Sequence, residues 1–294
     1  MSVLSNGYLL ALTAGPSSID FDAEFLVIAG GGQTTVIAYG LAAGGGAGGY
    51  ISSVSGESSG GGASALSAVG LSTGNVTYSV TVGAAGSNSI FSGTDNTAAS
   101  FNHTAIAGGG STSGNDSAAG ASGGSGGGGN IGRPAGSGGA GTTGQGFAGG
   151  DAEVFESFAC NNAPENWGED QCRNKECGGG GGAGAAASSK NGGVGVQSSI
   201  TGTATYYAGG GYANETTGAN TSGNNGTAGA GQSNYGGGGN IGSAGQNGVV
   251  ILRYPDTVTI SNSGGGLTMS TATDGSDKVT TITAGTGSIE FTPA

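Results

Sequence analysis

Glycine occupies 72 of the 294 positions of this chain, much of it in unbroken runs such as Gly126 to Gly129, Gly178 to Gly182 and Gly236 to Gly239. Ordinary soluble proteins hold roughly 7% Gly, and a run without Cβ atoms has no side chains with which to build a core. Its backbone groups therefore stay solvated or find partners on neighbouring segments. A collagen triple helix requires Gly at every third position and abundant Pro. Here the glycines clump and only five prolines are present, which excludes it. Disorder is the second option for a glycine-rich chain; the alternation of glycine runs with strand-like segments argues for an ordered body. The third is the extended left-handed helix of three residues per turn, which makes no internal hydrogen bonds and points every N–H and C=O sideways. Packed side by side as a polyglycine II lattice, such helices satisfy one another, with Cα–H···O contacts as a supplement. Ordering Gly costs more entropy than ordering any other residue, so each short run needs a scaffold around it.

The scaffold is read from short apolar runs. Phe25 to Ala29, stopped by Gly30-Gly31-Gly32, and Val249 to Tyr254, stopped by Pro255-Asp256, read as buried strands. Val76 to Val82 alternates β-branched or aromatic residues with small polar ones, as a half-buried strand does. Weaker strands are expected at 49–54, 89–91, 104–107, 257–260 and 279–283, and no segment carries a sustained 3.6-residue apolar period. The expectation is an all-β fold, a β-sandwich-like framework enclosing polyglycine II helices, with almost no α-helix.

Two repeats sharpen it. Gly126-Gly127-Gly128-Gly129-Asn130-Ile131-Gly132 recurs letter for letter at 236–242, which predicts two equivalent glycine layers in one body. Leu12 to Phe21 aligns with Ile282 to Phe291, so that one β-motif brackets the glycine body: the two copies pack side by side, the unit is built for tandem use, or the likeness is the chance similarity of Ser/Thr/Gly-rich strands. Residues 1–20 are expected to form an N-terminal attachment segment with the first motif. Residues 21–294 then form the body, closed by the second motif at 282–291.

The order Glu24-Phe25-Leu26-Val27-Ile28-Ala29-Gly30-Gly31-Gly32, Ala47 to Tyr50, Tyr78 to Gly86, Tyr206 to Gly211 and Gly248 to Pro255 resembles the glycine-rich domain of bacteriophage virion proteins, found in phages of cyanobacteria and other marine bacteria. The resemblance covers nearly the whole chain. It implies a virion structural protein, a tail fibre or tail-tip adhesin that binds the host cell surface; a capsid decoration or head-fibre protein with a purely structural role is the alternative. It also implies a homotrimer associating with other virion proteins.

Residues 151–177 depart from that pattern. They hold Trp167, the only tryptophan, and all three cysteines, Cys160, Cys172 and Cys177, with seven carboxylates against two cations. The segment reads as an inserted loop with a small core of Phe155, Phe158 and Trp167, an exposed tip suited to touching a host glycan or protein, or a stapled structural loop. Cys160 with Cys172 or Cys177 is a candidate disulfide, a cross-link typically worth about 2–4 kcal/mol. Three cysteines without a nearby His lack the usual fourth zinc ligand. Tyr206, Tyr207, Tyr212 and Tyr235 are further amphipathic contact candidates.

Nothing points to catalysis or a cofactor. The single histidine, His103, has no nucleophile or acid motif beside it, and Gly30-Gly31-Gly32 has neither the Lys nor the following helix of a phosphate loop. Hydrolysis of a polysaccharide needs paired carboxylates at a fixed separation, and nothing in the loop fixes one. A formal charge of −12 lacks the basic stripe that nucleic acid requires. The first ten residues lack a positive n-region, and no run of 18 apolar residues exists, so neither a secretion signal nor a membrane span is expected. A particle exterior, supplied from the host cytoplasm, fits that pattern.

Overall fold

The computed structural model describes residues 18–34, 41–111, 118–131, 134–156, 173–214 and 235–294. The proposed attachment segment, up to residue 17, lies outside them. Among the described residues there are strands, one short 3-10 turn at Gly60–Gly62 and no α-helix.

The framework is a ten-stranded antiparallel sheet. Its main path runs through β2 (Tyr50–Ser52), β1 (Asp20–Ile28), β11 (Val249–Pro255), β14 (Asp277–Pro293), β4 (Thr77–Val82), β5 (Ser89–Thr94) and β6 (Ser100–Ala105). β3 (Val69–Ser72) adds to β1, while β12 (Val258–Ser261) and β13 (Leu267–Asp274) add to β14. The sheet curls until β1 faces β5 and β6, where Phe25 stacks on His103 with centroids 4.2 Å apart and meets Phe91 at 6.1 Å. The two facing layers of the expected framework thus belong to one sheet, nearly closed into a barrel. The expected strands all appear; β3 and β13, rich in Gly, Ser and Thr, were not foreseen.

Alternation explains the core. Phe21, Ala23, Phe25 and Val27 of β1 point into the barrel with Val250, Leu252 and Tyr254 of β11, Tyr78, Val80, Phe91, Ile289 and Phe291. The intervening Leu26, Ile28, Val249 and Ile251 are buried too, on the outer face, against Ala47, Ala183, Ile200, Tyr207 and Ala208. Strands covered on both faces read as continuous apolar runs, which is why these two are the plainest in the sequence. Of the first bracketing motif, residues 12–17 lie outside the described residues; its described end meets the second motif, Phe21 and Phe291 edge to face at 5.0 Å, while the turn at 73–74 donates from Thr73 N–H to the Ile19 carbonyl and from Gly74 N–H to the Phe291 carbonyl.

The glycine body stands on that outer face. Along residues 44–49 successive N–H groups leave in three directions. Gly44 and Ala47 donate to the Gly178 and Gly181 carbonyls, Gly45 and Gly48 to Gly239 and Gly236, and Gly46 and Gly49 to Gly109 and Ile106, all at 2.8–2.9 Å. Residues i and i+3 reach the same neighbour, so the hydrogen-bonding partners repeat every three residues. The same step recurs where Gly126 and Gly129 donate to Phe147 and Gly150, and Gly180 and Ala183 to Gly211 and Ala208. The two GGGGNIG copies are rows of one lattice, both antiparallel to 44–48: Ser125 and Gly128 donate to Ala47 and Gly44, and Gly48 and Gly45 donate to Gly236 and Gly239. Glycine is obligatory at such contacts. A Cβ at Gly180 would overlap the Gly45 carbonyl oxygen, and one at Gly128 the Gly178 carbonyl oxygen.

Candidate functional site

The rows are pinned at both ends by apolar residues, and the two ends differ. Ala47, Ala183 and Ala208 lie in the cluster against the barrel. Leu41, Ala43, Ile131, Ala152, Cys177 and Ala213 form a separate cluster at the far end of the same rows. Along residues 43–47 the two clusters stand four residues apart, Ala43 in the far one and Ala47 in the near one.

The acidic insertion leaves the lattice at the far end. Ala152 and Cys177, both buried in the far cluster, lead directly into β7 (Glu153–Glu156) and β8 (Arg173–Glu176). These two strands pair antiparallel, Glu153 opposite Glu176 and Glu156 opposite Arg173, as a two-stranded stalk. Its root is tied down: Asp151 Oδ1 accepts the Gly138 N–H at 2.8 Å, and Glu176 Oε1 accepts the Lys190 N–H at 3.0 Å and the Ser189 hydroxyl. Phe155 sits on β7; Trp167, Cys160 and Cys172 lie outside the described residues. Cys177 is a free thiol, fully buried, and burial pushes its pKa up to about 11 with the Glu176 charge adding to the shift. It is therefore a neutral packing group with little thiolate to react.

The four tyrosines do not form one patch. Tyr207 is 4% exposed and packs in the cluster between barrel and lattice, so it is corrected from a contact residue to a core residue. Alternation along β10 (Thr205–Tyr207), which pairs with β9 (Val196–Ser198), buries Tyr207 and leaves Tyr206 39% exposed. Tyr235 packs against the same cluster. Tyr212 alone stands near the far end, half-buried, its N–H donating to Asn240 Oδ1 at 3.2 Å. His103 is a stacked core-edge residue between Phe25 and Phe101.

The first described residues and the C-terminal residues gather at the opposite end of the barrel. The Ile19 and Phe291 carbonyls accept from neighbouring residues of one turn, and Ala294 N–H donates to the Thr257 carbonyl. Sequence reasoning saw the insertion through its composition but missed its placement. The row ends that fix it are single Ala, Leu and Ile residues without a pattern of their own.

Among the described residues, no group of three or more His, Cys, Asp or Glu is placed to hold a metal ion, and no helix is long and apolar enough to cross a membrane. The profile of a family described as glycine-rich domain matches residues 21–255. Neither a curated protein nor a solved structure matches the chain.

Proposed function

Because the chain belongs to the glycine-rich domain family, and carries its acidic insertion at the far end of a glycine lattice, we propose that it is a structural protein of a bacteriophage virion, a tail fibre or tail-tip adhesin whose work is binding to the host cell surface. The observation that carries this reading is the polarity of the molecule. Both described chain ends lie on the barrel, and the stalk of β7 and β8 leaves from the far cluster, on the other side of the glycine rows. A stiff spacer with its attachment at one end and the paired strands of an insertion at the other suits an adhesin. Rows that exchange backbone hydrogen bonds in three directions resist bending without needing a large apolar core.

In this reading the barrel end faces the particle, and Trp167, Phe155 and Tyr212 supply amphipathic contacts to a glycan or protein. Copies assemble as a homotrimer, and no chemistry is performed on the receptor. The stalk allows a clean test, because Glu153 and Glu176 are paired neighbours. Replacing residues 154–175 by a two-residue Asn-Gly turn closes the stalk at its root. The expected outcome is an unchanged fold and trimer mass in solution, with loss of binding to host cells and of the protein's ability to block phage adsorption. Undiminished adsorption blocking by the excised protein would overturn the adhesin reading, and immunogold label over the capsid would assign a decoration protein instead.

A further inference from the structure

A second candidate surface lies on the flank of the barrel, away from the insertion. β1 and β11 run side by side with Glu24 opposite Arg253, both on the outer face, since Phe25 and Leu252 point inward. β2 and β3 both pair with β1, and the chain between them swings outward, held by Phe25 N–H donating to Ser53 Oγ at 2.7 Å and Leu66 N–H to the Ser52 carbonyl at 2.8 Å. This excursion opens a groove over β1. One part, about 400 Å³, is walled by Ser55, Glu57, Ser64, Leu66 and Ser67; the next, about 280 Å³, passes over Asp22, Arg253 and Asp277; Glu24 and Ala68 line both. Those volumes fall within or just below the range of small-molecule sites.

The polar groups of the groove are held in place before any ligand arrives. Glu24 Oε1 accepts the Ser55 N–H at 3.2 Å. Glu57 Oε1 accepts the Ser199 N–H and hydroxyl at 2.7 and 2.8 Å, while its other oxygen, Oε2, is buried without a hydrogen-bond partner. Arg253 is fixed by Asp274 at 2.7 Å and Asp277 at 2.9 Å. Between these groups stand the exposed hydroxyls of Ser55, Ser64 and Ser67 and the apolar side chain of Leu66, 45% exposed.

We infer that this groove binds a saccharide. The Glu24 and Asp22 carboxylates accept hydrogen bonds from sugar hydroxyls, serine hydroxyls and the guanidinium supply donors, and Leu66 covers the C–H face of a ring. An anionic ligand is disfavoured by Asp22, Glu24 and Glu57. The site shares no residue with the stalk and does not rest on the virion reading.

The test is a titration of the full chain, followed by NMR at the Leu66 methyls and the Ser55 and Ser67 amides, with maltose, lactose and N,N′-diacetylchitobiose as probes. A saturable shift at these residues with at least one probe is expected, at the millimolar affinity typical of a few net hydrogen bonds. Ala68→Trp, at an exposed position, fills the groove, and Glu24→Ala removes its central acceptor. Each is expected to weaken binding roughly tenfold or more, the worth of about 1.4 kcal/mol. Glu290→Gln and the stalk excision are expected to leave it unchanged. Silence at Leu66 with all three probes, or undiminished binding by Ala68→Trp, would overturn the inference. Spermine that competes at the same residues more strongly than any sugar would show a cation site, which also overturns it.

Discussion

His103 ties stability to pH at a single residue. Burial between Phe25 and Phe101 disfavours its charged form and lowers its pKa below the ordinary 6.5. Above pH 6.5 both the folded and unfolded chains hold it neutral, so its packing counts in full. As pH falls from 6.5 toward the lower folded value the unfolded chain takes up a proton first, and stability declines. His103→Phe is expected to flatten the urea-unfolding free energy between pH 7 and pH 5 relative to the parent. Glycine offers a second residue-scale contrast. A Cβ at Gly180 would overlap the Gly45 carbonyl oxygen, which the lattice cannot move aside. Gly180→Ala is therefore expected to cost more than about 3 kcal/mol, beyond ordinary overpacking, as seen in chemical denaturation. The reverse sign belongs to Ala98, an exposed turn residue between β5 and β6 held at φ 65°. Ala98→Gly relieves that left-handed strain and is expected to raise stability by about 1 kcal/mol in the same assay.

At the scale of elements, the stalk carries an internal conflict, for Glu153 pairs directly across from Glu176. Like charges in that position destabilise a hairpin. Glu153→Lys is expected to strengthen the stalk by about 0.5 kcal/mol and to slow hydrogen exchange of the β7 amides. Much of the framework was legible in the sequence because β1, β4 and β11 carry strong side-chain codes, either continuous apolar runs or strict alternation. β13 was not, because Leu267 to Asp274 buries no side chain fully and its Ser/Thr/Ala face looks like loop. That glycine runs would bond to one another through their backbones was legible in the sequence; which run lies beside which was not. A residue without a side chain cannot say which row lies beside it, so neighbours are chosen by the apolar residues at the row ends, such as Leu41, Ile131 and Ala208. The same blindness misplaced Tyr207, whose burial is set by the step of β10 against Ile200 and Ala183, while composition alone made it look like Tyr206.

On the scale of the whole molecule, the barrel and the lattice are held by different physics. The barrel buries phenylalanine, valine and isoleucine; the lattice buries peptide groups that bond to one another. These differ in what they do to heat capacity. Exposing hydrocarbon to water raises it and exposing peptide lowers it, and globular domains average about 12–15 cal/mol/K per residue on unfolding. Calorimetry of the full chain is expected to give less than about 10 cal/mol/K per residue. A small heat-capacity change flattens the curve of free energy against temperature. The three-way hydrogen bonding of the glycine rows thus equips the molecule to stay folded across cold and warm water alike, with a stability that scarcely registers the season.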